Sequence, residues 1–379
     1  MTDTVTQYIE ENRELMLDTL RELCAIPAPS HKEQARAEYC KRWLERAGAR
    51  GVYIDEALNA VFPLGCEGSR DITVFCAHTD TVFPDTEPMP YYDDGERIHC
   101  PGASDDTASV AVLLVMAKFF IERGLSPRHG ILFVCNSCEE GLGNLRGTRQ
   151  IFCDYAGRIG RFISFDSSLH TVADRPVGSH RYRVEVETEG GHSYSAFGRP
   201  NAIAVLAGIV GEIYGLEVPS DEGTRTTYNV GEIVGGTSVN TIAQHAEMLC
   251  EYRSDDAGCL ALMRSRFEEI FENARREGVT VRVTLVGDRP CGISHGEENE
   301  PLRAVILPII REVIGGEVTL VSSSTDCNIP ASLGVPSLCI GVNRHAGVHT
   351  REEWVEKESL IPGLRIAIRV GLALLEGEE

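Results

Sequence analysis

The chain has 379 residues, 42% hydrophobic and 25% charged, an ordinary globular composition that is long enough for two domains. Its 57 acidic and 36 basic residues give a formal net charge of −21. This charge disfavours nucleic acids and anionic membranes as partners, because both attract basic surfaces. No apolar run is long enough to span a membrane, so we expect no membrane partner.

The first part of the chain alternates helical and strand-like segments. Helices are predicted at 5–24, 32–47 and 107–123, strands at 72–77, 131–135 and 162–165, and a loop at 84–104. The strands lack polar alternation, which is typical of strands buried on both faces of a parallel sheet. The same alternation of helices and apolar strands returns after residue 289, with helices at 302–314 and 359–375 and strands at 318–321 and 336–340. This pattern predicts an α/β fold with a mainly parallel sheet.

The middle of the chain has a different pattern, with strands that alternate polar and apolar residues. The predicted elements are strand 181–187, helix 201–214, strands 227–234 and 246–253, helix 255–277 and strand 280–286. This β-α-β-β-α-β order indicates an inserted α+β domain of ferredoxin-like type. We therefore predict a discontinuous first domain, 1–176 with 288–379, interrupted by a small inserted domain at 177–287. One face of the inserted sheet remains free, which suits pairing between subunits.

The thirteen cysteines raise the question of disulfide bonds. Cys76, Cys135, Cys250 and Cys339 lie in apolar runs, where a thiol behaves as a small apolar side chain. The count is odd, and the N-terminus leads into a polar helical pattern rather than a signal peptide. We expect free thiols and a cytoplasmic location.

The strand at 72–77 ends in the sequence His78-Thr-Asp80. Ligand sites of open α/β sheets lie at the carboxyl ends of their strands. At that position His78 can offer one ring nitrogen to a metal ion, and Asp80 can hold the other nitrogen. His-x-Asp alone is a common sequence, so the prediction depends on the other polar clusters.

Four further clusters follow strands or lie in loops beside strands. They contain Asp105 and Asp106 before a helix, Glu139 and Glu140 after strand 131–135, Asp166 after strand 162–165, and His349 after the last strand. Individually they resemble a helix cap or solvated surface residues. Together with His78 they offer imidazole and carboxylate ligands without thiolate. This donor set is typical of a catalytic Zn²⁺, Mn²⁺ or Co²⁺ site.

These motifs, in this order and spacing, resemble the co-catalytic zinc exopeptidases and amidohydrolases. That family includes aminoacylase, peptidase T, carboxypeptidase G and succinyl-diaminopimelate desuccinylase. The resemblance covers nearly the whole chain and implies a zinc-exopeptidase-like catalytic domain that binds two divalent metal ions, with Zn²⁺ expected first and Mn²⁺ or Co²⁺ as alternatives.

The resemblance also implies a role for each residue of the metal centre. Asp105 bridges the two ions, His78 and Asp166 complete one ion, and Glu140 and His349 complete the other. Glu139 is the general base, Asp80 supports His78, and Asp106 lies behind the ligands.

Three residues of the inserted domain resemble functional residues of the same family. His192, in Gly190-Gly191-His192, resembles a lid histidine that reaches the partner subunit's active site and stabilises the oxyanion. Asn240 resembles a lid asparagine that binds substrate. Arg253 resembles the arginine of an Asp-x-Arg pattern and is expected to be more structural than catalytic. The resemblance therefore implies a homodimer.

Two positions depart from the usual family pattern. Thr107 stands where the family usually has lysine, which affects only the start of a helix because that lysine is not a ligand. Asp166 stands where some branches have glutamate. Aspartate is found in the peptidase T-like and dipeptidase branches, which slightly favours a peptidase.

The function we predict is hydrolysis of peptide or peptide-like amide bonds by a two-metal enzyme, with an aminopeptidase acting on di- or tripeptides as the first expectation. An amidohydrolase of N-acyl- or N-carbamoyl-amino acids remains the alternative, because residues that recognise a free α-amino group lie in variable loops. A non-catalytic binding protein is remoter, since neither a ligand nor the base is lost. A Rossmann-type nucleotide binder is disfavoured, because no Gly-x-Gly-x-x-Gly follows an early strand.

Overall fold

The computed structural model describes residues 2–125, 127, 129–220, 223–293 and 296–376. The chain divides into two compact units, which we call the first unit (Met1–Pro176 with Gly296–Glu379) and the second unit (Val177–His295). Within the described ranges, no helix is both long enough and apolar enough to cross a membrane.

The first unit is built on an eight-stranded sheet. Its strands lie in the order Tyr53–Ile54, Ala60–Leu64, Gly130–Asn136, Ile72–His78, Ile159–Ser164, Ser337–Ile340, Thr171–Pro176 and Thr319–Ser323. The central strand Ile72–His78 pairs in parallel with both of its neighbours, and the next pair is also parallel. Antiparallel pairs occur only towards the two edges. The predicted α/β fold with a mainly parallel sheet is therefore confirmed.

Helices cover both faces of this sheet. They span Thr2–Cys24, Gln34–Arg46, Ala108–Glu122, Arg146–Asp154, Glu300–Ile314, Asn328–Ser332 and Leu360–Glu376. Successive strand residues point to opposite faces. Accordingly, Phe75 belongs to the large core beneath helix Ala108–Glu122, and its neighbour Val74 belongs to a smaller core on the other face. Because both faces are buried, every residue of strand Ile72–His78 is buried and the strand shows no polar alternation.

A small antiparallel sheet corrects the prediction of a loop at 84–104. Its strands lie in the order His345–Ala346, Trp354–Glu356, Arg97–His99 and Tyr92–Asp93, and a helical turn follows at Ala103–Thr107. Prolines, glycines and aspartates favoured a loop locally, but the hairpin gains its partner strand from residues more than two hundred positions away. The guanidinium of Arg97 lies 4.1 Å from the centre of the Trp354 ring and adds a contact across this pair.

The second unit has a four-stranded antiparallel sheet in the order Thr226–Gly235, His245–Ser254, Gly178–Thr188 and Val279–Arg289. Helices Ala202–Tyr214 and Ala257–Asn273 share an apolar core with it. This strand order and connectivity are those of a ferredoxin-like fold. Tyr182 and Val184 point into the core, while Arg181 and Arg183, which alternate with them, lie on the outer face. A two-stranded ladder pairs Gly191–His192 with Thr241–Ile242.

Candidate metal centre

His78 ends the central strand of the first unit and is fully buried. Its main-chain N–H donates to Asp106 Oδ2 at 3.0 Å. The ring Nδ1 lies 3.0 Å from the main-chain oxygen of Asp80 and 3.5 Å from its carboxylate. The other ring nitrogen, Nε2, lies 2.9 Å from Asp105 Oδ1. Nδ1 is thus fixed by Asp80, and Nε2 faces the other predicted metal ligands.

Asp105 lies between two imidazoles. Its Oδ1 faces His78, and its Oδ2 lies 3.1 Å from Nε2 of His349. His349 Nε2 also lies 3.0 Å from Oε1 of Glu140. Hydrogen bonds to Asp105 and Glu140 raise the pKa of His349 to about 10. Burial raises the pKa of Asp105, but the hydrogen bonds with His349 and His78 outweigh it and hold this pKa below the usual range.

Two groups of three side chains share Asp105. The ligand atoms of His78, Asp105 and Asp166 lie within 4.8 Å of one another, and so do those of Asp105, Glu140 and His349. Burial raises the pKa of Glu140 to about 7, and burial followed by the charge of Asp105 raises the pKa of Asp166. Carboxylates crowded in this way need cations to stay ionised. The donors are oxygens and imidazoles, so the two groups fit two divalent ions.

The loop that carries Glu139 and Glu140 is held by the carboxylate of Asp80. Asp80 Oδ1 accepts the main-chain N–H of Glu139, and Oδ2 accepts that of Glu140, each at 2.9 Å. Ser30 also donates its hydroxyl to Oδ2 at 2.7 Å. Asp80 therefore contacts His78 mainly through its main chain, and its carboxylate fixes the backbone of the two adjacent glutamates.

The predicted ligands do not all lie at the carboxyl ends of parallel strands. His78, Glu140 and Asp166 end or follow such strands, whereas the other two ligands come from loops beside the sheet. Asp105 lies in the helical turn before Ala108–Glu122. His349 lies between His345–Ala346 and Trp354–Glu356 of the small sheet, with a positive φ of 64°. These two ligands depend on loops whose position the sequence did not predict.

Buried charged residues near the centre were missed by the sequence analysis. Glu33 Oε1 accepts the main-chain N–H of Cys138 at 3.1 Å and that of His31 at 2.9 Å. Arg36, 1% exposed, donates to the main-chain oxygens of Ile26 and Thr79. Glu33 and Arg36 lie in a polar helical pattern, so nothing in the sequence distinguished them from surface residues.

Asp326 is another buried carboxyl that the sequence analysis missed. Asn136, which ends the strand before Glu139, donates to Asp326 Oδ2 at 2.7 Å. Burial and the charge of Glu139 raise the pKa of Asp326 to about 6. The only available signal was its place shortly after the strand-like run 318–321.

The three predicted residues of the second unit do not form one cluster. The ladder that pairs His192 with Thr241 brings His192 beside Asn240, whose main-chain oxygen accepts the N–H of Ser193 at 3.0 Å. Both side chains are exposed. Arg253 lies near the opposite end of strand His245–Ser254, where its Nε donates to Glu251 at 2.7 Å.

Several curated proteins are similar to the chain. A LysW-lysine hydrolase of Deinococcus radiodurans is 28% identical over 363 residues, which are 92% of this chain and 93% of that protein. A succinyl-diaminopimelate desuccinylase of Paraburkholderia xenovorans is 26% identical, covering 88% and 93%. A probable carboxypeptidase of Paracoccidioides brasiliensis is 26% identical over 61% of this chain, and this match spans only 58% of that protein.

Solved structures share the fold over nearly the whole chain. The aminopeptidase PepT of Bacillus cereus has a TM-score of 0.72 and 19% identity, covering 95% of this chain and 98% of that one. A tripeptidase of Staphylococcus aureus has a TM-score of 0.75 and 21% identity, covering 96% and 98%. A dinuclear metal-binding peptidase of Bacillus subtilis has a TM-score of 0.66 and 12% identity, covering 97% and 100%.

Residues 74–372, most of the chain, match peptidase family M20/M25/M40. The two groups that share Asp105 support two divalent ions. The chain therefore belongs to peptidase family M20/M25/M40, whose members are hydrolases.

Proposed function

We propose that the chain is an aminopeptidase that hydrolyses di- or tripeptides with two bound Zn²⁺ ions. The observation that carries this proposal is the pair of ligand groups sharing Asp105, with Glu139 outside both but within 4.8 Å of His78 and Glu140 by its carboxylate. Glu139 is 5% exposed, and its backbone is held by Asp80. Because the two groups that share Asp105 already supply three ligands each, we assign Glu139 to proton transfer rather than to metal binding.

The chemistry of the site follows from these residues. When bound, two divalent ions supply a Lewis acid for the substrate carbonyl and lower the pKa of a water molecule. Glu139 removes the proton from that water and later transfers it to the leaving amine. The family resemblance assigns the stabilisation of the negative charge on the carbonyl oxygen to His192 of the partner subunit. One water and one peptide bond are consumed, and a carboxylic acid and an amine are released.

The names of similar structures support a peptide as substrate. They include an aminopeptidase, a tripeptidase and two dipeptidases. The ligand Asp166 is the residue type that the resemblance links to peptidase T-like and dipeptidase branches. An amidohydrolase of N-acyl-amino acids is the second candidate, because similar proteins are named desuccinylase and LysW-lysine hydrolase.

A hydrolysis screen separates the two candidates. Purified protein loaded with Zn²⁺ is given free di- and tripeptides, the same peptides with acetylated N-termini, and N-acetyl- and N-succinyl-amino acids. We expect release of new amines from the free peptides and little from the blocked ones. If only the blocked compounds are hydrolysed, the protein is an amidohydrolase and the aminopeptidase proposal is wrong.

Metal removal tests the ions themselves. We expect elemental analysis of active protein to give two divalent ions per chain, and a chelator to abolish activity. Zn²⁺, Mn²⁺ or Co²⁺ should restore it, and the ion present after native purification identifies the metal. Active protein that contains no transition metal would contradict the proposal.

We also propose that the protein is a homodimer in which His192 serves the partner subunit's site. Strand Thr226–Gly235 is an edge strand of the second unit, and Ile233 and Val234 on it are 54% and 49% exposed. An open edge with apolar side chains favours pairing with another chain. The thirteen cysteines, all described, are free thiols, which supports a cytoplasmic location.

A further inference from the structure

A buried carboxylate outside the predicted site follows His349 by four residues. Glu353 is 1% exposed and lies just before strand Trp354–Glu356 of the small sheet. Its main-chain oxygen accepts the N–H of Cys100 at 3.2 Å. The proposed chemistry gives this residue no role, so its burial needs an explanation from its contacts.

The Glu353 carboxylate accepts four hydrogen bonds from the segment that leads to Asp105. Oε1 accepts the main-chain N–H of Ser104 at 2.8 Å and that of Asp105 at 3.1 Å. The same oxygen accepts the Ser104 hydroxyl at 2.7 Å. Oε2 accepts the main-chain N–H of Gly102 at 2.7 Å. Hydrogen bonds to an ionised acceptor are stronger than neutral ones, so these contacts fix the backbone firmly.

Gly102 shows how closely this segment is fitted. Its φ of 74° lies in the left-handed region, which favours glycine. A Cβ at this position would lie 2.5 Å from Cγ2 of Thr81, so a side chain has no room. Gly102 therefore packs closely against Thr81, and three of the four main-chain N–H groups of residues 102–105 donate to the Glu353 carboxylate.

We infer that Glu353 is a positioning residue for the carboxylate shared by the two metal ions. This inference rests on the proposed metal roles of Asp105 and its neighbours. With its N–H held by Glu353, Asp105 presents one oxygen to His78 and the other to His349. The turn from His349 to Glu353 also carries a ligand of its own. A single short segment therefore sets the position of two of the five ligands.

The arrangement resembles the way in which Asp80 holds the other ligand loop. Asp80 accepts the N–H groups of Glu139 and Glu140, and Glu353 accepts that of Asp105. In each case a buried carboxylate fixes main-chain donors so that the side chains can converge on one point. Such partners of metal ligands typically contribute about 10- to 100-fold to metal affinity or activity.

The test compares Glu353→Gln with Glu352→Gln, a matched change at the exposed neighbouring position. Glutamine keeps one acceptor oxygen but replaces the other by an N–H₂ group, which cannot accept a hydrogen bond from a main-chain N–H. We expect Glu353→Gln to bind at least one of two Co²⁺ or Zn²⁺ ions about 10- to 100-fold more weakly than wild type. The visible spectrum of the Co²⁺ form should change, and kcat should fall more than KM rises. Glu352→Gln should match wild type in each measurement.

Ser104→Ala is a second variant that tests the same inference if Glu353→Gln does not fold. This variant removes only the hydroxyl that donates to Glu353 and leaves the main-chain bonds in place. We expect a smaller loss of metal affinity in the same direction. Calorimetric titration of the metal-free proteins gives the affinities independently of turnover.

The outcomes separate the inference from the proposed function. Wild-type protein that binds no divalent ion overturns the proposed function. Wild type that binds two ions, with a folded Glu353→Gln variant of equal affinity and unchanged Co²⁺ spectrum, overturns the inference alone. If only Ser104→Ala folds, wild-type affinity in that variant likewise overturns it.

Discussion

The predicted site residues of the two units are held in opposite ways. In the first unit, the side chains around Asp105 contact one another directly, and main-chain N–H groups bonded to buried carboxylates fix their loops. In the second unit, a main-chain ladder places His192 beside Asn240, but both side chains are exposed. The first arrangement forms a preorganised centre by itself. The second leaves both side chains exposed to solvent.

The two units also treat their charges differently. Arg36 of the first unit is 1% exposed and donates to the main-chain oxygens of Ile26 and Thr79. Arg183 of the second unit lies on the outer face of the sheet, 3.4 Å from Glu247, and its side chain is 40% exposed. A charge in the interior depends on each of its partners, whereas a surface ion pair can exchange its partner for water.

The largest expected effect is that of substituting Glu139. This substitution separates proton transfer from metal binding within the first unit. Glu139→Gln should lower turnover by about 10²- to 10⁴-fold, because the amide cannot accept the proton. Metal content and thermal stability should stay near wild type. Glu140→Gln is the matched control and should weaken metal binding instead, as expected for a ligand near His349. Near-normal turnover of Glu139→Gln, measured at saturating metal, would show that another group is the base.

The contrast between the units also explains how far the sequence could be interpreted. Apolar runs such as 72–77 predicted buried parallel strands, because a strand covered on both faces leaves no position for polar residues. Polar clusters after those strands predicted His78 and Glu139. The positions of Asp105 and His349 in the fold required loops that are fixed by distant partners. Glu353 is one such partner, and no local pattern distinguishes it from its exposed neighbour Glu352.

The next prediction asks whether the exposed residues of the second unit act on a partner subunit. His192→Ala should lower turnover by about 10²- to 10³-fold, the usual cost of losing an oxyanion donor, with unchanged metal content. Asp105→Asn should be inactive because it loses the shared ligand. When the two variants exchange subunits, each mixed dimer has one site with intact metal ligands and an intact partner histidine.

At equal amounts, half of the dimers are mixed and one of their two sites is complete, so roughly a quarter of wild-type activity should return. The measurement is turnover before and after subunit exchange, with exchange followed by a fluorescent label on one variant. A mixture of wild type with Asp105→Asn should keep constant activity during exchange, which shows that an Asp105→Asn subunit does not itself impair the site of its partner. Proven exchange without recovery of activity would mean that His192 serves its own subunit or has only a structural role in the inserted domain.

The smallest expected effect is that of substituting Arg183. Comparing it with a substitution of Arg36 tests whether buried and exposed charges contribute differently to stability. Arg36→Ala should lower the free energy of unfolding by about 3 kcal/mol or more, because it leaves several buried acceptors without a donor. Arg183→Ala should change it by less than about 1 kcal/mol, since the pair with Glu247 is open to water. Urea unfolding at low and high salt measures both, and salt should remove most of the small effect of Arg183→Ala. A large, salt-independent loss in Arg183→Ala would mean that the outer face of the second unit is covered in solution, as it would be by a partner chain.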